Sequence, residues 1–268
     1  MHDYHMHSHF CRHATGSLDE YARAAIARGF HEICFTPHIP LPGFRPGFFN
    51  DRLRMESRDF PRYLEELERT RGKFPGLAIL SGVEADYIEG WEEYIARFLA
   101  PYSFDFVLMS IHFIRDWPED QYVFDFRRDR RPLGRIYDDY LAALRKGIET
   151  GLYDGIAHFD LIKQPGRPLL ATHRAEVEEI VGLCAARGMS AEINVSGARK
   201  EIGETYPAPE IIKLMSRRGL PLTPGSDAHA PSQVGVGLET LNGRKMARYR
   251  ARRIVEEVVR MPASAGNL

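Results

Sequence analysis

Along this chain the apolar positions switch repeatedly between two rhythms. Short apolar runs alternate with stretches in which apolar side chains recur every three or four residues, the marks of buried strands and of amphipathic helices. The opening stretch Asp3-Tyr4-His5-Met6-His7-Ser8-His9 reads as a first strand. Ser17-Leu-Asp-Glu20 has the form of a capping box ahead of a helix over 21–28, with Gly29 as its stop. Further strands are predicted at 32–38, 77–84, 104–112, 153–158, 190–195 and 221–229. Further helices are predicted at 57–73, 90–99, 134–150, 172–187, 208–218 and 244–260, with a Pro-, Gly- and Phe-rich loop over 39–50.

Strand and helix thus alternate about seven times without a linker or a shift of composition, so residues 1–268 read as one domain. Such alternation predicts a parallel sheet with helices outside it. Six of the seven strands carry a His, Glu or Asp at or just beyond their C-terminal end. A closed barrel brings those ends to one place better than an open doubly wound sheet does. The expected fold is therefore α/β, a distorted seven-stranded (β/α)7 TIM-like barrel. Residues 113–133 interrupt it as a long charged and aromatic insertion, and loops of that length are commonly functional.

Composition narrows the picture. Lys plus Arg (36) nearly balances Asp plus Glu (37), so net charge favours no nucleic-acid partner. The run Arg127-Arg-Asp-Arg-Arg131 is diluted by Asp125 and Asp129 and reads as a solvated loop. No apolar stretch is long enough to span a membrane, and the polar, His-rich start is unlike a signal peptide. Three scattered cysteines, Cys11, Cys34 and Cys184, fit a reducing compartment and a cytoplasmic location.

The candidate chemistry lies in nine residues: His5, His7, His13, His38, Glu84, His112, His158, Asp227 and His229. A single histidine ending a buried strand is more often a satisfied core residue than a ligand. Independent packing causes, however, do not place seven of the eleven histidines at the same end of successive strands. Imidazole and carboxylate suit zinc, iron and manganese alike. Nine donors exceed the four or so that one zinc takes, so two or three divalent transition metal ions are expected, with Glu84 or Asp227 bridging. Cys11 reads as a small buried thiol near the site. His9 is left open as a ligand or pocket wall, His31 and His173 read as surface residues, and His2 as a fraying terminus. For a phosphorylated substrate the candidates are Asn194, Ser196, Arg199 and Lys200 after the sixth strand and Lys163 after the fifth, with Arg199 positioned to hold a phosphate.

These motifs resemble the PHP (polymerase and histidinol phosphatase) family of metal-dependent phosphoesterases. The resemblance spans nearly the whole chain: His5-Met-His7 with His13, Thr36-Pro-His38, Gly82-Val-Glu84-Ala-Asp86, Ser110-Ile-His112, Ala157-His158-Phe-Asp160 and Gly225-Ser-Asp227-Ala-His229. The Cys11-x-His13-Ala-Thr-Gly16 loop, Arg54-Met55, the 194–199 stretch and Tyr206-Pro207 are most like its histidinol-phosphate phosphatases. The resemblance implies a distorted (β/α)7 barrel with three ions. His5, His7, Glu84 and Asp227 would hold one, Glu84 with His112 and His158 a second, and His13, His38 and His229 the third. The chain departs from the family at Thr36-Pro37-His38, where relatives often have Thr-Asp-His, and at His9.

The implied activity is hydrolysis of a small phosphate monoester, first of all L-histidinol phosphate to L-histidinol and phosphate, a step of histidine biosynthesis. A metal-bridging hydroxide would attack phosphorus, with Glu84, Asp227 and His229 at the reacting centre. The insertion, with Trp117, Glu119, Asp120, Tyr122 and Asp125, would serve as a lid for the amine and imidazole. Two alternatives stand beside this reading: a PHP-type phosphoesterase or nuclease acting on another phosphate ester, and a non-catalytic metal-binding scaffold.

Overall fold

Seven short parallel strands lie side by side in chain order: β1 (His2–Asp3), β2 (Glu32–Phe35), β3 (Ala78–Asp86), β4 (Phe106–Ser110), β5 (Gly155–Ile156), β6 (Ser190–Asn194) and β7 (Leu222–Gly225). The computed structural model describes residues 1–43, 53–117, 122–124, 131–164, 167, 169–241 and 243–256. The two edges meet just past the named strands. Tyr4 N donates to Pro224 O at 2.8 Å, Asp227 N to His5 O at 2.8 Å and His7 N to Ala228 O at 2.9 Å, so the sheet closes into a barrel. Helices α1 (Leu18–Ala27), α2 (Phe60–Lys73), α3 (Glu92–Leu99), α4 (Leu133–Glu149), α5 (Arg174–Ala186) and α6 (Pro209–Arg217) connect the strands. The capping box forms as predicted, with Ser17 N donating to Glu20 Oε2 at 2.7 Å.

Alternation along each strand sorts the side chains. Ile33 and Phe35, Val83 and Ala85, Val107 and Met109, and Ala191 and Ile193 join the layer shared with the helices. The opposite set fills the barrel, and Tyr4, Cys34, Leu80, Phe106, Leu108 and Ala157 form a small inner core. Following one such row from the bottom upwards, apolar residues give way to ligand-type ones: Cys34, Thr36, His38; Leu80, Gly82, Glu84, Asp86; Phe106, Leu108, Ser110, His112. Polar groups therefore collect at the C-terminal mouth, where barrel enzymes place their chemistry.

Three expectations are corrected. Residues 244–256 are not helical; β8 (Arg248–Arg250) and β9 (Arg253–Glu256) form a hairpin, turned by Ala251 and Arg252 at positive φ. Its Tyr249 enters the inner core and donates from its hydroxyl to Asp154 O at 2.9 Å. Around it Arg248 and Arg250 pair with Glu32, and Arg252 pairs with Asp154. Helical periodicity in this stretch loses to a plug that fills the barrel floor and neutralises carboxylates there. His2 does not fray: it is buried edge-on to Tyr4, and burial, ahead of repulsion by the N-terminus and Arg248, pushes its pKa down to about 4. His173 is buried too, with Nε2 2.9 Å from Asp138 Oδ1. His31 is exposed, as expected. Residues 257–260 of the predicted helix, and most of the 39–50 loop, lie outside the described residues.

Removing the Tyr249 hydroxyl with Tyr249→Phe should cost about 1 kcal/mol, the usual worth of a hydrogen bond. Tyr249→Ala should cost about 3–5 kcal/mol, as for other large buried rings. Urea unfolding midpoints measure both, and equal losses would mean that the ring does not fill the floor.

Candidate metal centre

Glu84 stands at the centre of the barrel mouth, 1% exposed. Its Oε2 lies 3.3 Å from His5 Nε2, 3.4 Å from His7 Nε2 and 3.1 Å from His38 Nδ1. Its Oε1 lies 3.1 Å from His158 Nε2 and 3.8 Å from His112 Nε2. One carboxylate thus turns each oxygen to a different set of imidazoles. Asp227 faces the same space, with Oδ1 3.2 Å from His7 Nε2 and 3.7 Å from His5 Nε2. Both Asp227 and His158 adopt positive φ, 51° and 25°, which is uncommon for residues with a side chain. The strands end in these turns, and the turns swing the ligand atoms inward.

Most of the histidines are held from behind through Nδ1. His5 donates from Nδ1 to Glu192 Oε1 at 2.7 Å and His112 to Asp86 Oδ1 at 2.9 Å. His13 donates to Cys11 O at 2.7 Å and His229 to Asp227 O at 2.9 Å. Cys11 Sγ lies 3.5 Å from His7 Nδ1, so the buried thiol sits beside the site as read. Committing Nδ1 leaves Nε2 as the free lone pair, which is how metal-ligating histidines are oriented. Here that role falls to Glu192 and Asp86, which the strand pattern had not singled out. The signal for both was a carboxylate two residues from another polar residue on an inward row.

The electrostatics match a cation seat. Burial would raise the Glu84 carboxyl, but His38 and His5 outweigh it and hold it well below the carboxylate range. Asp227 is likewise lowered, against its burial, by His5, His7 and His229. Burial, helped by His229, keeps His7 well below the usual histidine value and His13 down to about 4. Burial opposes a charge on His5 as well, yet Glu192, Asp227 and Glu84 raise it well above normal. The ionised carboxylates and the neutral imidazoles of His7 and His13 are metal donors in their binding state, and the raised His5 marks the negative field that surrounds it. The ring nitrogens also approach closely, His5 Nε2 to His7 Nε2 at 3.2 Å and His13 Nε2 to His229 Nε2 at 2.9 Å. Two lone pairs that close need a proton or a cation between them.

Among the described residues, four sets of donor atoms are compact enough to hold an ion: His5, His7 and Glu84; Glu84, His112 and His158; His7, His13 and His229; and His38, Asp86 and His112. The first two follow the partition implied by the family resemblance, with Asp227 beside the first. In the third, His7 stands in the compact set, while His38 stacks on His13 and reaches towards Glu84. All nine predicted ligands are brought together. His9 is not among them: it lies on a 3-10 turn, exposed, 3.2 Å from Gly16 O.

Above the donors opens a cavity of about 280 Å³, walled in part by Leu53, Arg54, Tyr122, Phe124, Leu161, Gln164 and Lys200. Of the predicted substrate contacts Lys200 lines it, while Arg199, Lys163, Asn194 and Ser196 do not. Arg199 is turned back, donating to Ser226 O at 2.7 Å and Val236 O at 2.9 Å. Lys163 is buried in ion pairs with Asp160 and Glu204. Asn194 Nδ2 and Ser196 Oγ lie beneath Asp227 and donate to its Oδ2 at 3.4 and 3.0 Å. Each has a nearer partner than the cavity, which residue type and loop position do not reveal. Of the insertion, Tyr122 and Phe124 reach the cavity and Trp117 is buried; Glu119, Asp120 and Asp125 lie outside the described residues. The basic run is likewise outside them, apart from Arg131, which stacks on Trp117.

A parallel barrel with carboxylate-bridged histidines at its C-terminal mouth defines a metal-dependent hydrolytic site for divalent ions. The PHP domain model matches residues 3–196. A Deinococcus radiodurans protein described as a "probable histidinol-phosphatase" is 35% identical over 238 residues, 87% of this chain and 88% of that protein. The histidinol-phosphatase of Bacillus subtilis is 28% identical over 262 residues, 88% of this chain and 96% of that protein. The crystal structure of the histidinol phosphate phosphatase of Lactococcus lactis, complexed with zinc, L-histidinol and phosphate, shares the fold with a TM-score of 0.77. It is 22% identical and covers 95% of this chain and 98% of that one. The chain belongs to the PHP domain family.

A bound ion stabilises a protein by about 2.7 kcal/mol when its free concentration is 100 times Kd. Zinc added to chelator-stripped protein should therefore raise Tm. The rise should shrink in Glu84→Gln and persist in His9→Gln; equal rises in both variants would count against the shared carboxylate.

Proposed function

We propose that this protein is a histidinol-phosphate phosphatase, hydrolysing L-histidinol phosphate to L-histidinol and phosphate, a step of histidine biosynthesis. The observation that carries this reading is Glu84, divided between two imidazole sets at the base of a cavity sized for a small phosphate ester. The named activities of the D. radiodurans and B. subtilis relatives, which match along most of their length, support the same reaction. We further propose that residues 1–268 act as one domain and that the protein is cytoplasmic, a reading that three free buried cysteines support.

Divalent ions held by the nine donors would supply Lewis acidity and a nucleophile from water near neutral pH; zinc, iron and manganese all suit such ligands. His5, His7, Glu84 and Asp227 would seat one ion, Glu84, His112 and His158 a second, and His13, His38 and His229 a third. The side chains then divide the remaining work. Asn194 and Ser196 hold Asp227 in one orientation, and Asp86 does the same for His112. Glu84, Asp227 and His229 border the reacting phosphate. Lys200, on the cavity wall with its ammonium 5.6 Å from the Tyr206 ring, neutralises charge on the phosphoryl oxygens. Tyr122 and Phe124, whose rings stand 4.9 Å apart beside His112, offer an aromatic wall for the substrate imidazole.

Chelator-stripped protein should lose turnover of histidinol phosphate and regain it with zinc or manganese, in a panel that includes other phosphate monoesters and a nucleic acid. Full activity after stripping would exclude the metal-dependent reaction. A preference for another ester would keep the reaction and replace the substrate. His112→Ala should lower kcat by more than the ~10- to 100-fold that loss of an outer hydrogen-bond partner costs.

Lys200→Met removes a charge without opening the core. If Lys200 holds the phosphate, KM should rise by about 10- to 100-fold, the worth of a hydrogen bond to a charged group, with Tm unchanged. An unaltered KM would move the phosphate elsewhere in the cavity.

A further inference from the structure

Glu192 belongs to none of the four donor sets, yet it is 1% exposed and lies directly behind two of them. Its two oxygens are divided. Oε1 accepts the Nδ1–H of His5 at 2.7 Å, while Oε2 accepts the main-chain N–H of His158 at 2.8 Å and Nδ2–H of Asn194 at 3.1 Å. His5 falls in the set with His7 and Glu84, and His158 in the set with Glu84 and His112. Behind the ligands, one side chain therefore joins the same two positions that Glu84 joins in front.

The neighbouring strand leaves room for it. Gly225 pairs with Asn194 in the β6–β7 register, and a Cβ at Gly225 would fall 1.7 Å from Glu192 Oε1 and 2.8 Å from His5 Cβ. No larger residue fits while Glu192 keeps its place. The glycine is required here for close approach and not for its backbone angle. The bond to His158 N–H also fixes the residue whose positive φ turns its ring towards Glu84.

We infer that Glu192 is a positioning residue that sets the separation of two ion positions, through the ring of His5 on one side and the backbone of His158 on the other. Holding His5 Nδ1–H leaves only Nε2 for an ion, and anchoring His158 N–H fixes the origin of the second ligand. Both are governed by one carboxylate, so a disturbance at either position is felt at the other. Gly225 acts with it by leaving the space. The inference rests on the reading of the cluster as a divalent-ion site, and its test separates the two.

The test titrates zinc into chelator-stripped wild-type protein, Glu192→Gln and Gly225→Ala, measuring zinc per chain by elemental analysis and affinity by competition with a chromogenic chelator. Glutamine keeps the size of the side chain but gives up one of the two acceptor oxygens. Glu192→Gln should bind zinc about 10- to 100-fold more weakly, the usual loss when an outer partner of a ligand is removed. The weakening should appear in more than one binding step. Gly225→Ala, which changes no ligand, should reproduce the weakening by displacing Glu192. Wild-type affinity and stoichiometry in Glu192→Gln would overturn the inference, as would a lowered Tm of the stripped variant with zinc affinity unchanged. Weakening confined to a single step would overturn the coupling of the two positions. If the wild-type protein itself takes up no zinc, manganese or iron, the ion reading of the site fails, a result distinct from the others.

Discussion

A carboxylate buried at the centre of a barrel is costly unless positive charge or hydrogen bonds converge on it. Glu84 meets this requirement through imidazoles that arrive from the first, second, fourth and fifth strand positions. None of those segments alone can satisfy it. The closed arrangement of strands is what places five rings about one side chain, so the same closure that completes the sheet completes the site. The last strand adds Asp227 and, through the bonds between His5 and Asp227 and between His7 and Ala228, seals the seam beside it.

The barrel is polarised along its axis. Inward rows begin with Cys34, Leu80 and Phe106 near the floor and end with His38, Glu84 and His112 at the mouth. Charge is present at the floor as well, but there it is neutralised within the chain. Arg248, Arg250 and Arg252 of the C-terminal hairpin pair with Glu32 and Asp154. At the mouth Glu84 and Asp227 are matched by imidazoles, which can exchange a proton for a metal ion, instead of by guanidinium groups. That difference separates a structural ion pair from a site able to accept a cation from solution.

Around the ligands lies a further ring of acceptors: Glu192 behind His5, Asp86 behind His112, the Cys11 carbonyl behind His13 and the Asp227 carbonyl behind His229. Arg54 pairs with Asp86 and also lines the cavity, so one support of the site is continuous with its wall. Cys11 serves twice, its thiol beside His7 and its carbonyl at His13. The short 3-10 turn carrying it therefore stands in for the longer strand that alternation predicted.

Alternating rhythm, helix caps and terminal histidines were enough to reveal a seven-stranded barrel and the nine residues gathered at its mouth, because period-two and period-3.6 patterns are local and because closing the barrel brings the same ends of its strands to one place. The functions of Arg199, Lys163, Asn194 and Ser196 were not legible. Each could have faced the substrate from its loop, and only tertiary structure supplied the nearer partners, two carbonyls, two carboxylates and Asp227, that hold them aside. The burial of His2 and His173 and the hairpin at 248–256 were decided in the same way, by contacts with residues distant in the chain. Glu192 is the sharpest case. In sequence it is one carboxylate in a strand, and its place behind two ligands exists only because β6 lies between β5 and a β7 that has glycine at position 225.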